Sequence, residues 1–257
     1  MLKLNNVTTV FNKGTVDETT LFDGFNLTVD KGEFVSVIGS NGSGKTTMLN
    51  LICGSLFPDG GSVEFEGRNI TKIPEYKRSK FLGRVFQDPK LGTCEGLTIL
   101  ENMSLADNKN RAYNLFPALN RKRFDYYRSL LEECELGLEN RMNVPVGNLS
   151  GGQRQALALV IANMTKIDML ILDEHTAALD PKSSEIIMKL TDKFVKKSGI
   201  TTMMVTHNLR FAIEYGTRLI MMHEGHCVLD SKDEDKQKAC VDDILKLFNE
   251  ISIESGN

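Results

Sequence analysis

The chain of 257 residues is 41% hydrophobic and 25% charged, with 31 basic residues against 34 acidic ones for a net charge of -3. That is the composition of a folded protein with a sizeable core, and it gives no support to a disordered chain or to a general electrostatic grip on nucleic acid. No run approaches the roughly 18 to 20 apolar residues that span a bilayer, so the chain is expected in the cytosol with any membrane role supplied by a partner; five scattered cysteines without a Cys-x-x-Cys pair speak against a disulfide framework and a zinc site.

The N-terminal part reads as β-rich. Strand patterns at residues 2–7, 26–29 and 33–39 are separated by turn chemistry, the last being a short apolar run of the kind found in strands buried on both faces. SNGSGKTTMLNLICG follows directly. Its Met48, Leu49, Leu51 and Ile52 fall at helical spacing and Gly54 closes the helix, so strand, glycine loop and helix open an α/β unit. Residues 61–67 and 83–88 add two short strands. From 98 to 138, charged, aromatic and long side chains in helical blocks carry no strand signal, which predicts a helical subdomain inserted into an α/β core. Alternation resumes with a buried strand at 168–173, a helix at 181–197 opened by Pro181, a strand at 201–206 and a helix at 208–215. A hairpin turning at Glu224 and Gly225 and a final helix at 240–251 complete the chain, while SKDEDKQK at 231–238 reads as a solvated face or loop.

Gly39, Ser40, Asn41, Gly42, Ser43, Gly44, Lys45 and Thr46 fit G-x-x-x-x-G-K-[ST] in the required context between strand and helix. The bland reading is a Gly/Ser turn before a helix; the flanks favour a nucleotide cradle. Glycines let backbone N–H groups point at phosphate oxygens, the helix start adds its positive dipole end, Lys45 reaches the outer phosphates and the Thr46 hydroxyl can ligate Mg2+. Asp173 ends a buried strand, where a carboxylate can organise the metal shell, and Glu174 can polarise water for attack on the terminal phosphate. Alone, that acidic pair reads as a helix cap or surface charge; the cradle upstream reverses the balance. His207 also follows an apolar strand, where open parallel sheets collect ligand-binding residues. Gln87, by itself an exposed loop residue, ends a strand just before the helical insertion. NLSGGQRQALAL at 148–159 reads locally as a serine-capped helix with a wet face.

GSNGSGKTT, FQD, LSGGQ, LILDE, Leu179-Asp180 and VTH stand in the order found in ATP-binding subunits of ABC transporters, and the chain resembles that family, in its stand-alone bacterial form, over nearly its whole length. LSGGQ is the most specific of these motifs, because P-loop proteins at large lack it. The resemblance implies an α/β P-loop NTPase core with a mixed central sheet, an N-terminal antiparallel β subdomain and an inserted α-helical subdomain. It implies one domain over 1–257, with the RecA-like core and β subdomain over 1–90 and 140–257 and the helical subdomain over 91–160.

The resemblance also implies ATP and Mg2+ as ligands and ATP hydrolysis coupled to transport. Gly39, Ser40, Asn41, Gly42, Ser43, Gly44, Lys45, Thr46 and Thr47 would hold the phosphates, with Thr46, Gln87 and Asp173 around the metal. Glu174 resembles the catalytic base, His207 the γ-phosphate contact, Gln87 the coupling glutamine and Asp180 the residue that communicates across a dimer. Phe11 matches the aromatic that stacks on adenine, with Phe22 the competing candidate. Ser150, Gly151, Gly152 and Gln153 of one subunit would close on the ATP held by a second copy or a homologous ATPase subunit, head to tail. Further implied partners are integral membrane permease subunits, which residues 92–103 would face, and, for an importer, a solute-binding protein, with no nucleic acid. The chain would then lie in the cytoplasm, peripheral on the inner face of the membrane. Import of a small solute such as an amino acid is the leading function; the alternatives are an exporter ATPase or a cytosolic cassette such as an iron-sulfur assembly scaffold subunit.

Two departures stand out. Where most relatives read D-E-P-T or D-E-A-T, this chain has Asp173, Glu174, His175 and Thr176, and His175 either tunes the pH response of the site or faces outward, the simpler reading. The chain also ends soon after the final hairpin and helix, so the extra C-terminal regulatory domain of some sugar importers is not expected.

Overall fold

The computed structural model describes residues 1–109, 119, 121–238 and 240–254. In chain order the elements are β1 (Leu2–Phe11), β2 (Thr19–Val29), β3 (Phe34–Gly39), α1 (Lys45–Cys53), β4 (Gly60–Phe65), β5 (Arg68–Asn69), α2 (Glu75–Arg78), β6 (Leu82–Val85), α3 (Ile99–Asn108) and α4 (Phe124–Glu132). They continue with α5 (Gly151–Asn163), β7 (Met169–Asp173), α6 (Pro181–Ser198), β8 (Thr201–Val205), α7 (Leu209–Glu214), β9 (Arg218–His223), β10 (His226–Lys232), α8 (Asp233–Lys238) and α9 (Val241–Glu254). The chain divides into one unit of Met1–Ile73 with Thr202–Asn257 and another of Pro74–Thr201.

The first unit holds two sheets. An antiparallel sheet runs in the order β2-β1-β4-β5; on β1 Leu2 and Leu4 are buried with Lys3 exposed between them, and an irregularity at Asn6, φ +48, shifts the phase so that Val7 and Thr9 are the buried residues beyond it. The second places β3 between β8 and β9, parallel to both, with β10 antiparallel at the edge of β9. Covered on both faces, β3 buries all six of its residues, which is why FVSVIG does not alternate; its one polar side chain, Ser36, donates to Tyr215 O at 3.0 Å. Met48, Leu49, Leu51 and Ile52 of α1 are fully buried. Ile38, Ala212, Leu219, Met221 and Ile244 form a further cluster, onto which α9 lays Leu247 and Phe248.

In the second unit β6 and β7 pair in parallel, Leu82 opposite Met169 and Val85 opposite Leu172. Two helices of the predicted helical stretch are present, α3 and α4, and among the described residues of 98–138 no strand forms; residues 110–118 and 120 of that prediction lie outside the described residues. Tyr127 is buried between them, its hydroxyl donating to Asp107 at 3.0 Å, and Arg123 pairs with the same carboxylate at 2.7 Å.

Two sequence expectations change. Strand β2 starts at Thr19, well before the predicted 26, because Phe22 and Phe25 both turn inward. Residues 231–238 are not a loop: they finish β10 and form α8, and the predicted solvated face holds over 232–235, which are exposed. Lys236 is buried there, its ammonium donating to Tyr215 O and, at 2.7 Å, to Gly216 O, so a charge-rich run hides one cation against two carbonyls.

Candidate active site

The first unit carries the glycine loop. Gly39 ends β3 at φ +156, and a Cβ there would lie 2.3 Å from Met222 O. Gly44, at φ +103, begins α1 and faces the Phe22 ring, which a Cβ would meet at 2.9 Å. Both positions therefore exclude side chains. A Cβ at Gly42 would meet nothing within 4 Å, so the loop is open there. No side chain caps α1, which leaves its first turn for an anion. Lys45 is 6% exposed, and its ammonium donates to Gly39 O and Ser40 O at 2.8 Å each and to Ser43 Oγ at 3.4 Å. The loop's own oxygens thus hold the cation. Ser40, Asn41 and Thr46 are exposed and Thr47 is half-buried. Behind the loop, Gly225 N–H in the turn between β9 and β10 donates to Ser43 O at 3.1 Å.

Strand register brings His207 to this edge. Val37 pairs with Val205, so Gly39 and His207 leave the same end of parallel strands two residues later. His207 is exposed, and the chain after it is fixed by Asn208, whose carbonyl oxygen Oδ1 caps α7 by accepting from Phe211 N–H at 3.1 Å. Of the two aromatic candidates, Phe11 ends β1 with 37% of its surface exposed, whereas Phe22 is fully buried and stacks on Phe25 at 4.7 Å. Phe22 supports the glycine loop from below.

The second unit carries the acidic residues. Asp173 ends β7 and pairs with Arg84 of β6 at 2.7 Å. Glu174 adopts φ +47, a left-handed conformation that costs a non-glycine residue on the order of 1 kcal/mol and clusters at functional sites. The loop after it is tied down: Ala177 N–H donates to Glu174 O at 2.9 Å, and Ser184 Oγ of α6 to Thr176 O at 3.1 Å. Asp180 caps α6 by accepting from Ser183 N–H at 3.0 Å, and hydrogen bonding from Ser183 holds its carboxyl below the usual range. His175 does not face outward as the sequence suggested. It is 2% exposed, with Nε2 lying 3.2 Å from Thr191 Oγ1, and burial pushes its pKa down to about 4.

Ser150 and Gln153 form a reciprocal capping box at the head of α5: Ser150 Oγ accepts from Gln153 N–H at 3.3 Å and Gln153 Oε1 from Ser150 N–H at 3.2 Å. Gln153 also accepts from Arg141 at 3.1 Å and donates to Leu136 O at 3.2 Å, so its amide serves the fold. Gly151 is exposed, and Gly152 packs so closely that a Cβ would stand 3.2 Å from Ser183. The 150–153 turn therefore lies against the 179–183 segment that holds Asp180. Gln87 is exposed two residues past the end of β6, and the carbonyl before it, Phe86 O, accepts from Gln155 of α5 at 3.0 Å. Arg154 of the same helix pairs with Glu95 at 2.6 Å.

Arg84, Gln155 and Thr191 are the neighbours that sequence reasoning missed. Nothing in their local pattern marks them, since each meets its partner across a different element. Among the described residues no group of three or more His, Cys, Asp or Glu side chains forms a metal cage, and no helix is long and apolar enough to cross a membrane. A magnesium ion is commonly held by one or two protein oxygens together with substrate phosphates and water, so a Thr hydroxyl and a carboxylate suit it without such a cage.

Residues 22–177 match the family model described as ABC transporter. The chain is 46% identical over 248 residues to the tyrosine transport ATP-binding protein of Clostridioides difficile (strain R20291), covering 96% of this chain and 98% of that protein. It is 32% identical over 235 residues to the thiamine import ATP-binding protein of Shigella flexneri, covering 91% and 93%. Among solved structures, the dimeric post-hydrolysis state of the ATP-binding cassette MJ0796 bound to ADP and Pi is similar with a TM-score of 0.76 and 32% identity, over 90% of this chain and 98% of that one.

Proposed function

The chain belongs to the ABC transporter family, and we propose that it is the ATP-hydrolysing subunit that drives a separate membrane permease in the import of a small solute of amino-acid type. The observation that carries this reading is the cradle, in which Lys45 is buried and held by loop oxygens above an uncapped helix start. A preorganised cation at a helix N-terminus recognises phosphate without first having to be ordered.

The residues divide the work by their chemistry. The 39–47 loop binds the phosphate chain through backbone N–H groups, Lys45 offsets charge on the outer phosphates, and Phe11 offers its exposed ring to the base. Thr46, Gln87 and Asp173 are the residues that would hold Mg2+, which when bound would supply positive charge against the phosphates. Glu174 orients and deprotonates the attacking water, and His207 donates to the terminal phosphate. Ser150, Gly151 and Gly152 of a second copy close the site with the N–H groups of α5, and Asp180 links that turn to the Glu174 loop. Two observations support coupling between α5 and the region facing the permease: Gln155 grips the carbonyl preceding Gln87, and Arg154 grips Glu95. We take 91–160 as the helical subdomain of a single cassette spanning 1–257, with residues 92–103 as its permease-facing edge. The assembly would lie on the cytoplasmic face of the membrane.

The amino-acid reading rests on likeness to the tyrosine transport protein, and the direction on that to import subunits. Uptake of labelled tyrosine by cells carrying the chain with its permease tests both. Loss of uptake on deletion, restored by the wild-type gene but not by Glu174→Gln, is the expected result. Unchanged tyrosine uptake after deletion overturns the solute, and unchanged ATP hydrolysis in purified Glu174→Gln overturns the mechanism.

A further inference from the structure

No step above uses His175. Its ring is enclosed, and Nε2 lies 3.2 Å from Thr191 Oγ1 on α6. Thr191 gives its own proton to Ile187 O at 2.8 Å, one turn back in the same helix. The hydroxyl is therefore an acceptor toward the imidazole, which places the ring proton on Nε2 and makes His175 the donor.

The contact acts on the residue directly after Glu174, whose backbone is left-handed. Such a conformation persists only where the surroundings fix it. From α6, Ser184 already holds Thr176 O and Asp180 caps the helix start, both downstream of Glu174. His175 supplies an anchor closer to the turn itself. We propose that His175 is a positioning residue for Glu174: by donating to Thr191 it clamps the left-handed turn onto α6 and sets the direction in which the Glu174 carboxylate leaves the strand. The inference rests on Glu174 being the catalytic base.

ATP hydrolysis by the purified full chain tests it, with His175→Ala, His175→Gln, Thr191→Val and Glu174→Gln measured together with ATP affinity and the thermal midpoint. His175→Ala and Thr191→Val are expected to lower kcat about tenfold while KM for ATP stays within about twofold. His175→Gln, whose amide N–H reaches the same hydroxyl, is expected to recover most of that loss. The double variant should be no slower than either single one, because one contact is broken in all three. Thr191→Val keeps the side-chain shape, so the test stands even where the alanine variant unfolds. Wild-type kcat in Thr191→Val, or a loss that follows the thermal midpoint and that glutamine does not repair, overturns the proposal. If Glu174→Gln itself hydrolyses ATP normally, the base assignment fails instead; if Glu174→Gln is inactive while Thr191→Val is fully active, only the positioning role fails.

Discussion

Arg84 and Asp173 are joined across the parallel strands β6 and β7 by an ion pair of 2.7 Å, with only 12% and 15% of their side chains exposed. Arg84 stands opposite Ile171 in register, so its guanidinium reaches along β7 to the carboxylate at the strand end. It also lies over the Phe86 ring, 4.7 Å from the centroid. One oxygen of the proposed metal carboxylate is thereby fixed from within the fold. Replacing Arg84 by Met leaves that carboxylate in a poorly solvated place without its cation. Urea unfolding at neutral pH should show a loss of about 2 kcal/mol; an unchanged midpoint would mean that the pair contributes nothing to stability.

The Ser150 cap separates a fold role from a site role. Ser150→Ala should cost about 1 kcal/mol through the lost cap. Ser150→Asp keeps a good capping oxygen, so stability should return to near that of the wild type. It also sets a negative charge where the neighbouring copy's phosphate is proposed to bind, and hydrolysis should fall by about 100-fold. Full activity in the Asp variant would remove Ser150 from the site.

The two phenylalanines should part company. Phe22→Ala empties a fully buried ring position beneath Gly44 and should destabilise the chain by about 3 to 5 kcal/mol. Phe11→Ala removes a half-exposed ring at a strand end, so the thermal midpoint should barely move while KM for ATP rises several-fold. Nucleotide titration alongside calorimetry distinguishes the two, and an unchanged KM in Phe11→Ala would exclude adenine stacking there.

Lys236 gives the fold a pH dependence on the alkaline side. Burial lowers its folded pKa from 10.5 to about 8. Between those values the unfolded chain binds more protons than the folded one, so this residue makes stability rise with pH across the window, by up to about 3 kcal/mol. Denaturation at pH 7.5, 8.5 and 9.5 should show wild type gaining on Lys236→Met as pH increases. A constant difference would indicate an ordinary lysine.

What could be read from the sequence was what repeats locally. The run 34–39, the glycine loop, Pro181 and the 224–225 turn all declare themselves within a few residues, since periodicity and turn chemistry are local properties. Lys236 was misjudged because the carbonyls that accept its protons belong to Tyr215 and Gly216, a different element. His175 was misjudged for a similar reason: a single histidine has no period, and its partner is a threonine inside an amphipathic helix. Phe22 looked like a ligand candidate until its place beneath Gly44 was seen, a contact between segments separated by β3. The candidate site was legible as a set of motifs, and the side chains that hold those motifs in place were not.

The hydrogen bond from Gly225 to Ser43 bears on how the protein is made. The glycine loop leaves the ribosome early, whereas the hairpin that braces it is among the last strands synthesised. A growing chain therefore displays the sequence of a phosphate cradle long before it holds one with its brace in place, and a truncated product ending before β9 carries the motif without that support.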